Sequence, residues 1–129
     1  MTLPSTHIMI VDDDEDDREL FCEAVSLISD DLKCVDAHDG EYALQYLRDQ
    51  ERVMPRFIFL DLNMPRLNGA QCLAEIKKIE HLKEIPVIIY STSNHQLDKQ
   101  QTKELGASGF VHKHTDFQML CAELKKWLA

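Results

Sequence analysis

The residues best suited to chemistry in this sequence follow short apolar segments. Four such segments each end at one or more polar side chains. These are Asp12, Asp13 and Asp14 after IMIV, Asp61 after FIFL, Ser91 and Thr92 after VIIY, and Lys113 after GFVH. The set combines carboxylates, hydroxyls and one ammonium group.

Carboxylates that converge on one small site repel one another, so they favour a bound cation. Because the set offers oxygen ligands and no sulfur, we expect Mg²⁺ rather than Zn²⁺. A divalent cation, an ammonium and a hydroxyl would together hold the charged oxygens of a phosphoryl group in transfer. A carboxylate, already ionised at neutral pH, would serve as the nucleophile.

Five apolar segments alternate with five amphipathic ones, which predicts a three-layer α/β domain with right-handed crossovers. Three segments are apolar at every position, as strands covered by helices on both faces must be. Ligands of open parallel sheets bind beyond the carboxyl ends of the strands, where the polar residues would lie. The predicted strands are His7–Val11, Lys33–His38, Arg56–Leu60, Val87–Tyr90 and Gly109–His112.

The amphipathic segments predict five helices with apolar faces. The predicted faces are Leu20, Phe21, Ala24, Val25 and Ile28; Ala43, Leu44 and Leu47; Leu73, Ile76 and Ile79 within Gly69–Glu80; Leu97 and Leu105 within Asn94–Leu105; and Phe117, Leu120, Cys121, Leu124 and Leu128. The fourth helix is polar almost throughout, which predicts loose packing and mobility. Thr115 and Gln118 have the spacing of a capping box.

Composition narrows the class of protein. The 129 residues predict one domain over 1–129 without an output domain, and the net charge of −9 with no basic patch argues against direct nucleic-acid binding. The sequence has neither a signal peptide nor a membrane-length apolar run, so we expect a cytoplasmic protein. The four cysteines lack CxxC spacing and are interpreted as reduced thiols. Asp16 and Asp17 are interpreted as part of a solvated helix start.

The segments IMIVDDDED, FIFLDLNMPRLNG, IPVIIYSTSN and GASGFVHK resemble, in order and over essentially the whole chain, the receiver domains of two-component response regulators. The resemblance implies a (βα)5 flavodoxin-like, doubly wound parallel sheet with strand order 2-1-3-4-5. The segments HLKEIPVIIYSTSN and LDLNMP are similar in sequence to the matching segments of stand-alone regulators that partner bacterial phytochrome kinases.

The resemblance implies that Asp61 is the phosphoacceptor and that a sensor histidine kinase or histidine phosphotransfer protein supplies the phosphoryl group. It assigns Mg²⁺ to Asp13, Asp61 and the backbone carbonyl of Asn63. Asp12 would act through water or by positioning the ion. The protein would not be an enzyme in the usual sense, although it would catalyse its own phosphorylation and dephosphorylation.

The resemblance also implies that Ser91, Lys113 and the adjacent Thr92 contact the phosphoryl group. Ser91 and Phe110 would form the switch, with Phe110 changing rotamer as Ser91 moves toward the phosphate. The altered face would then bind or release a downstream protein target. The sequence leaves the oligomeric state, including a homodimer, open.

Three features depart from the common receiver pattern. His114 stands where many receivers have a proline after a cis bond, which predicts either a trans bond with a shifted lysine or strain. Phe110 replaces the commoner tyrosine, so only packing can report the switch. The triplet Asp12–Asp14 is ambiguous by one residue, and the strand register favours the first two.

Three alternatives remain at this point. An aspartyl phosphatase would share Asp61 and Mg²⁺, but it usually carries a second aspartate where this chain has Asn63. A nucleotide-binding or flavodoxin-like module would need a glycine-rich loop after the first strand, and none is present. A degenerate receiver that acts only as an interaction domain is disfavoured by the intact acidic, hydroxyl and lysine set.

Overall fold

The structure is a computed structural model that describes residues 6–93, 95–113 and 116–129. Its strands are β1 (His7–Val11), β2 (Lys33–Ala37), β3 (Phe57–Leu60), β4 (Val87–Ser91) and β5 (Gly109–His112). Its α-helices are α1 (Glu15–Ile28), α2 (Gly40–Arg48), α3 (Gly69–Lys78), α4 (Gln96–Glu104) and α5 (Phe117–Leu128), with a 3-10 turn at Glu80–Leu82.

The strands form one parallel sheet in the order β2-β1-β3-β4-β5, which confirms the predicted fold class. Alternate residues of a strand point to opposite faces. Ile8 and Ile10 accordingly pack toward α1 and α5, whereas Met9 and Val11 pack toward α2 and α3. All four are fully buried, because helices cover both faces of the sheet.

The helix faces agree with the sequence in most places, with one correction on α1. Phe21, Ala24 and Val25 are buried against the sheet, but Leu20 is 45% exposed. The helical period of 3.6 residues turns Leu20 about 100° around the helix from Phe21, which places it at the solvent edge of the buried face. Leu20 is therefore a surface residue and the prediction that it joins the core is wrong.

Two helix ends differ from their predicted positions. Ile79 adopts an extended backbone (φ −88°, ψ 120°), so α3 ends at Lys78 and the chain continues into the 3-10 turn, which buries Leu82. The N-cap of α5 is Asp116, whose side chain accepts a hydrogen bond from the Gln118 N–H at 2.8 Å. The cap thus lies one residue later than the capping-box pattern predicted, and Thr115 lies outside the described residues.

Helix α4 has little apolar contact with the rest of the domain. Its one buried residue is Thr102, and its hydroxyl donates to the carbonyl of Asp98 within the helix. Leu97, predicted as one of the two main residues of its apolar face, is 78% exposed and does not pack against the core. Leu105, just after the helix, packs against the core. Among the described residues, no helix has the length and apolar character required to cross a bilayer.

The interpretation of all four cysteines as free thiols is wrong for one pair. Cys22 of α1 and Cys34 of β2 form a disulfide with their Cα atoms 5.4 Å apart, while Cys72 and Cys121 are free. Local spacing could not indicate this pair, because the two residues are 12 apart and meet only when α1 packs along β2.

We predict that Cys34→Ser lowers the free energy of unfolding of the oxidised protein by about 2–3 kcal/mol, because the cross-link restricts the unfolded chain. Urea denaturation with and without a reductant measures this loss, which reductant should abolish. Cys121→Ser removes a free thiol and is the matched control. Alkylation of four thiols in the unreduced, denatured wild type would contradict the pairing.

Candidate functional site

The strand ends are aligned by backbone hydrogen bonds that continue the sheet one residue beyond the strands. Because these bonds are formed by residues at successive strand ends, the side chains that follow must share one edge of the sheet. The bonds run from the Asp12 N–H to the Ala37 carbonyl (3.0 Å), from Asp61 to Val11 (2.9 Å) and from Lys113 to Ser91 (2.8 Å).

Three carboxylates meet at this edge. Each of Asp12, Asp13 and Asp61 offers one oxygen, and these oxygens lie within 4.8 Å of one another. Asp12 and Asp61 are buried, while Asp13 is exposed. Asp14 instead caps α1 by accepting a hydrogen bond from the backbone of the first turn, so the first two residues of the triplet are the ones that meet Asp61.

Lys113 supplies the positive charge of the cluster. Its Nζ lies 2.6 Å from Asp12 Oδ2, 3.0 Å from Asp17 Oδ2 and 3.6 Å from Asp61 Oδ1. The lysine side chain is only 10% exposed, so it is a buried counter-charge rather than a surface lysine. The same ammonium lies over the Tyr90 ring, 5.3 Å from the ring centre, which is within the range of a cation–π interaction.

Asp17 is the site residue that sequence reasoning missed. Its position in a run of acidic residues at a helix start pointed to a solvated face, yet its carboxylate binds Lys113. No local signal separated Asp17 from its acidic neighbours, because the contact depends on how α1 packs beside the end of β5. In the structure Asp17 is partly buried, whereas Asp16 is exposed.

The charges of the site perturb one another in a consistent direction. Burial raises the pKa of Asp61 to about 6, and the charges of Asp12 and Asp13 add to this rise while Lys113 opposes it. Burial likewise raises the pKa of Asp12. Burial alone would lower the pKa of Lys113, but its hydrogen bond to Asp12 and the charge of Asp61 raise it above the ordinary value.

These shifts bear on whether a cation fits. Burial is the main cause of the raised pKa of Asp61, and the charges of Asp12 and Asp13 add to the rise although the Lys113 ammonium lies nearby, so negative charge remains incompletely balanced here. The donors are oxygens, and the arrangement of Asp12, Asp13 and Asp61 therefore suits a hard divalent ion. Within the part of the chain that the structure describes, this is the one group of acidic, histidine or cysteine side chains with such geometry.

The hydroxyl residues of β4 differ in environment. Ser91 is fully buried, and its Oγ accepts a hydrogen bond from the Ser93 N–H at 3.1 Å. Thr92 is exposed. Phe110 of β5 is partly buried against the core, with the Lys99 ammonium of α4 5.6 Å from its ring centre. Phe110 thus lies between the sheet and the weakly anchored helix.

The loop after β3 is held close to the site. The Asn63 backbone N–H donates to the Asp61 carboxylate, while its side chain is exposed. A Cβ at Gly69 would lie 2.3 Å from the Asp61 carbonyl oxygen, so only glycine allows α3 to begin here. The predicted departure at His114 lies outside the described residues.

Comparison with known proteins supports the resemblance drawn from the sequence. The family model described as "Response regulator receiver domain" matches residues 8–125. The chain is 31% identical over 121 residues to the response regulator Rcp1 of Synechocystis, covering 91% of this chain and 82% of that protein. It is 30% identical over 116 residues to a probable methanogenesis regulatory protein, FilR2, of Methanothrix harundinacea, covering 88% and 75%.

Solved structures agree with this relationship. The Mn²⁺-bound form of Rcp1 has a TM-score of 0.85 at 30% identity, with 95% of this chain and 94% of that chain covered. The phosphorylated form of RcpA, a cyanobacterial phytochrome response regulator, has a TM-score of 0.86 at 32% identity, with 94% and 89% covered. The similarity to phytochrome-associated regulators is thereby confirmed.

We predict that Asp61→Asn makes the metal-free protein more stable at pH 7.5, by about 1–3 kcal/mol. The pKa of Asp61 is about 6 in the folded protein against its ordinary value of 3.8, so its ionised form opposes folding, and protonation removes that cost as the pH falls. The gap between variant and wild type should therefore shrink from pH 7.5 to pH 5. Urea denaturation in EDTA measures it, and a gap that widens at low pH would contradict the assignment.

Proposed function

The chain belongs to the response regulator receiver family, and we propose that it accepts a phosphoryl group on Asp61 from a histidine kinase or a histidine phosphotransfer protein. Receiver domains interact with histidine kinases and with downstream targets. The observation that carries the proposal is the convergence of Asp61 with Asp12, Asp13 and Lys113 at one edge of the sheet.

The proposal gives Asp61 the role of nucleophile. Its pKa of about 6 leaves it mainly ionised at neutral pH, so no further base is needed. An oxygen of the carboxylate would form a bond to phosphorus as the nitrogen–phosphorus bond of a phosphohistidine breaks. The product is an acyl phosphate on Asp61 and a free histidine on the donor protein.

The residues around Asp61 would stabilise the charge of the phosphoryl oxygens. Lys113 lies within 3.6 Å of the acceptor carboxylate, and its ammonium would pair with the phosphoryl group. Ser91, buried at the end of β4, would donate its hydroxyl, which is otherwise an acceptor for the Ser93 N–H. The exposed Thr92 would contact the group from the solvent side.

We propose Mg²⁺ as the cation that suits this pocket. Asp13, Asp61 and the Asn63 carbonyl would hold it, with Asp12 acting through water or by positioning. When bound, such an ion supplies positive charge that offsets carboxylate repulsion and the negative charge of the phosphoryl oxygens. The oxygen-only donor set of this chain supports that choice.

The switch we propose couples Ser91 to Phe110. Movement of the Ser91 hydroxyl toward the phosphoryl group would open space for the Phe110 ring, which packs beneath Lys99 of α4. Helix α4 has one buried residue, Thr102, so its repacking costs little apolar contact. Phosphorylation would thereby bias a two-state surface that a downstream protein reads.

Two further aspects are part of the proposal. The acyl phosphate would also be hydrolysed by the protein itself, which makes the signal transient. The protein would act in the cytoplasm. A phosphomonoesterase is disfavoured because Asn63 offers no acid to a leaving group, and turnover of a phosphomonoester with Mg²⁺ would support that alternative.

We predict that acetyl phosphate labels the wild type in Mg²⁺ but not in EDTA, and that Asp61→Asn abolishes labelling. Intact-protein mass spectrometry after mixing detects the added phosphoryl group, and peptide mapping locates it. Asp16→Asn makes the same change at an exposed acid of the same domain and should label as the wild type does. Persistent labelling of Asp61→Asn would refute the acceptor assignment.

We also predict that Ser91→Ala slows labelling by at least about ten-fold, since one donor to the phosphoryl oxygens is lost from a buried site. Ser91→Thr keeps the hydroxyl and should restore most of the rate. The time course of labelling at saturating Mg²⁺ measures this effect. Equal rates for the alanine variant and the wild type would remove Ser91 from the phosphoryl-contacting set.

A further inference from the structure

Lys113 is held farther from the acceptor than from two other carboxylates. Its ammonium lies 2.6 Å from Asp12 and 3.0 Å from Asp17, but 3.6 Å from Asp61. The first two distances are charge-assisted hydrogen bonds and the third is an ion pair without one. The lysine therefore donates both to Asp12, which follows β1, and to Asp17 in the first turn of α1.

Asp12 has no carboxylate oxygen that is not already accepting a hydrogen bond from the protein. Its Oδ2 accepts from Lys113, and its Oδ1 accepts from the Asp14 N–H at 3.0 Å. Both oxygens of this fully buried carboxylate are thus engaged within the protein. A lysine that left Asp12 would need another partner, because an unpaired charge in a buried site is costly.

Asp17 can be that partner because of its position on α1. It lies in the first turn, where its backbone N–H donates to the Asp14 cap, and its side chain is 35% exposed. The helix is held against the site by Arg18, which donates to the Asp12 carbonyl at 2.9 Å. The carboxylate of Asp17 therefore reaches Lys113 from outside the triad of Asp12, Asp13 and Asp61.

We propose that Asp17 is a positioning residue that restrains Lys113, an inference that rests on the proposed phosphoacceptor function. Asp17 competes with an incoming phosphoryl group for the ammonium and keeps it from closing on Asp61. It also adds negative charge near the three carboxylates, which favours a divalent cation. Asp17 thus acts through Lys113 and does not itself touch the reacting atoms.

This role predicts opposite effects on binding and on transfer. In Asp17→Asn, Mg²⁺ should bind about two- to five-fold more weakly, because a nearby negative charge is lost. At saturating Mg²⁺, labelling by acetyl phosphate should be about two- to five-fold faster, because less interaction must break before the lysine meets the phosphoryl group. Calorimetric titration measures the affinity, and the time course of the mass shift measures the rate.

The matched control is Asp16→Asn, which removes the same charge from the same helical turn at an exposed position. Both variants alter the interaction with the helix dipole alike, so any difference between them comes from the contact with Lys113. Asp16→Asn should therefore change the Mg²⁺ affinity and the labelling rate less than Asp17→Asn does. Asp17→Glu keeps the carboxylate, so its Mg²⁺ affinity and its labelling rate should both be close to those of the wild type. A variant that merely loosened the fold would weaken binding and slow transfer together.

The contact itself is tested without metal or phosphodonor. Any stability that Asp17→Asn loses in EDTA should disappear in a Lys113→Met background, because the shared interaction is already absent. If the wild type is labelled while Asp17→Asn equals Asp16→Asn or labels more slowly, this inference fails and the proposed function stands. If the wild type takes no label in Mg²⁺, the proposed function fails and this inference fails with it.

Discussion

The interaction on which the site depends is the ion pairing of one buried lysine with carboxylates that repel one another. Asp12 and Asp61 are almost fully buried at the edge of the sheet, and neither could remain ionised there without a nearby positive charge. Lys113, brought from the far end of the chain, supplies that charge. Burial, together with the charges of Asp12 and Asp13, still keeps the pKa of Asp61 raised, so further positive charge beside these carboxylates would be favourable.

The parallel sheet makes this arrangement possible. In a parallel sheet every strand ends at the same edge, and the backbone bonds that continue beyond β1, β3 and β5 fix the three residues that follow. Burial on both faces leaves β1, β3 and β4 little freedom to shift their register, because a slip of one residue would exchange the two buried faces of a strand. The acidic cluster is thereby attached to strands that are buried in the core, whereas α4 has Thr102 as its one buried residue.

Helix α1 contacts both the residues at the strand ends and the neighbouring strand β2. It contributes Asp14 as its own cap, Asp17 to Lys113 and Arg18 to the carbonyl of Asp12, and its Cys22 joins β2. Contacts of this kind make the first helix part of the electrostatic environment of Lys113, and not only a cover for the sheet. The acidic start of the helix therefore has two physical roles, one toward the backbone and one toward the lysine.

The sequence by itself determined the order of the helices and strands and the family. It also determined the residues that follow the strands, which are Asp12, Asp13, Asp61, Ser91 and Lys113. These results depend on runs of apolar residues and on the residue types that follow them, which are local properties of the chain. Tertiary structure alone decided the involvement of Asp17, the pairing of Cys22 with Cys34, and the exposure of Leu20 and Leu97. Each of these depends on how a helix is rotated and where it packs on the sheet. A one-dimensional pattern records which face is apolar but not which distant side chain the other face will meet.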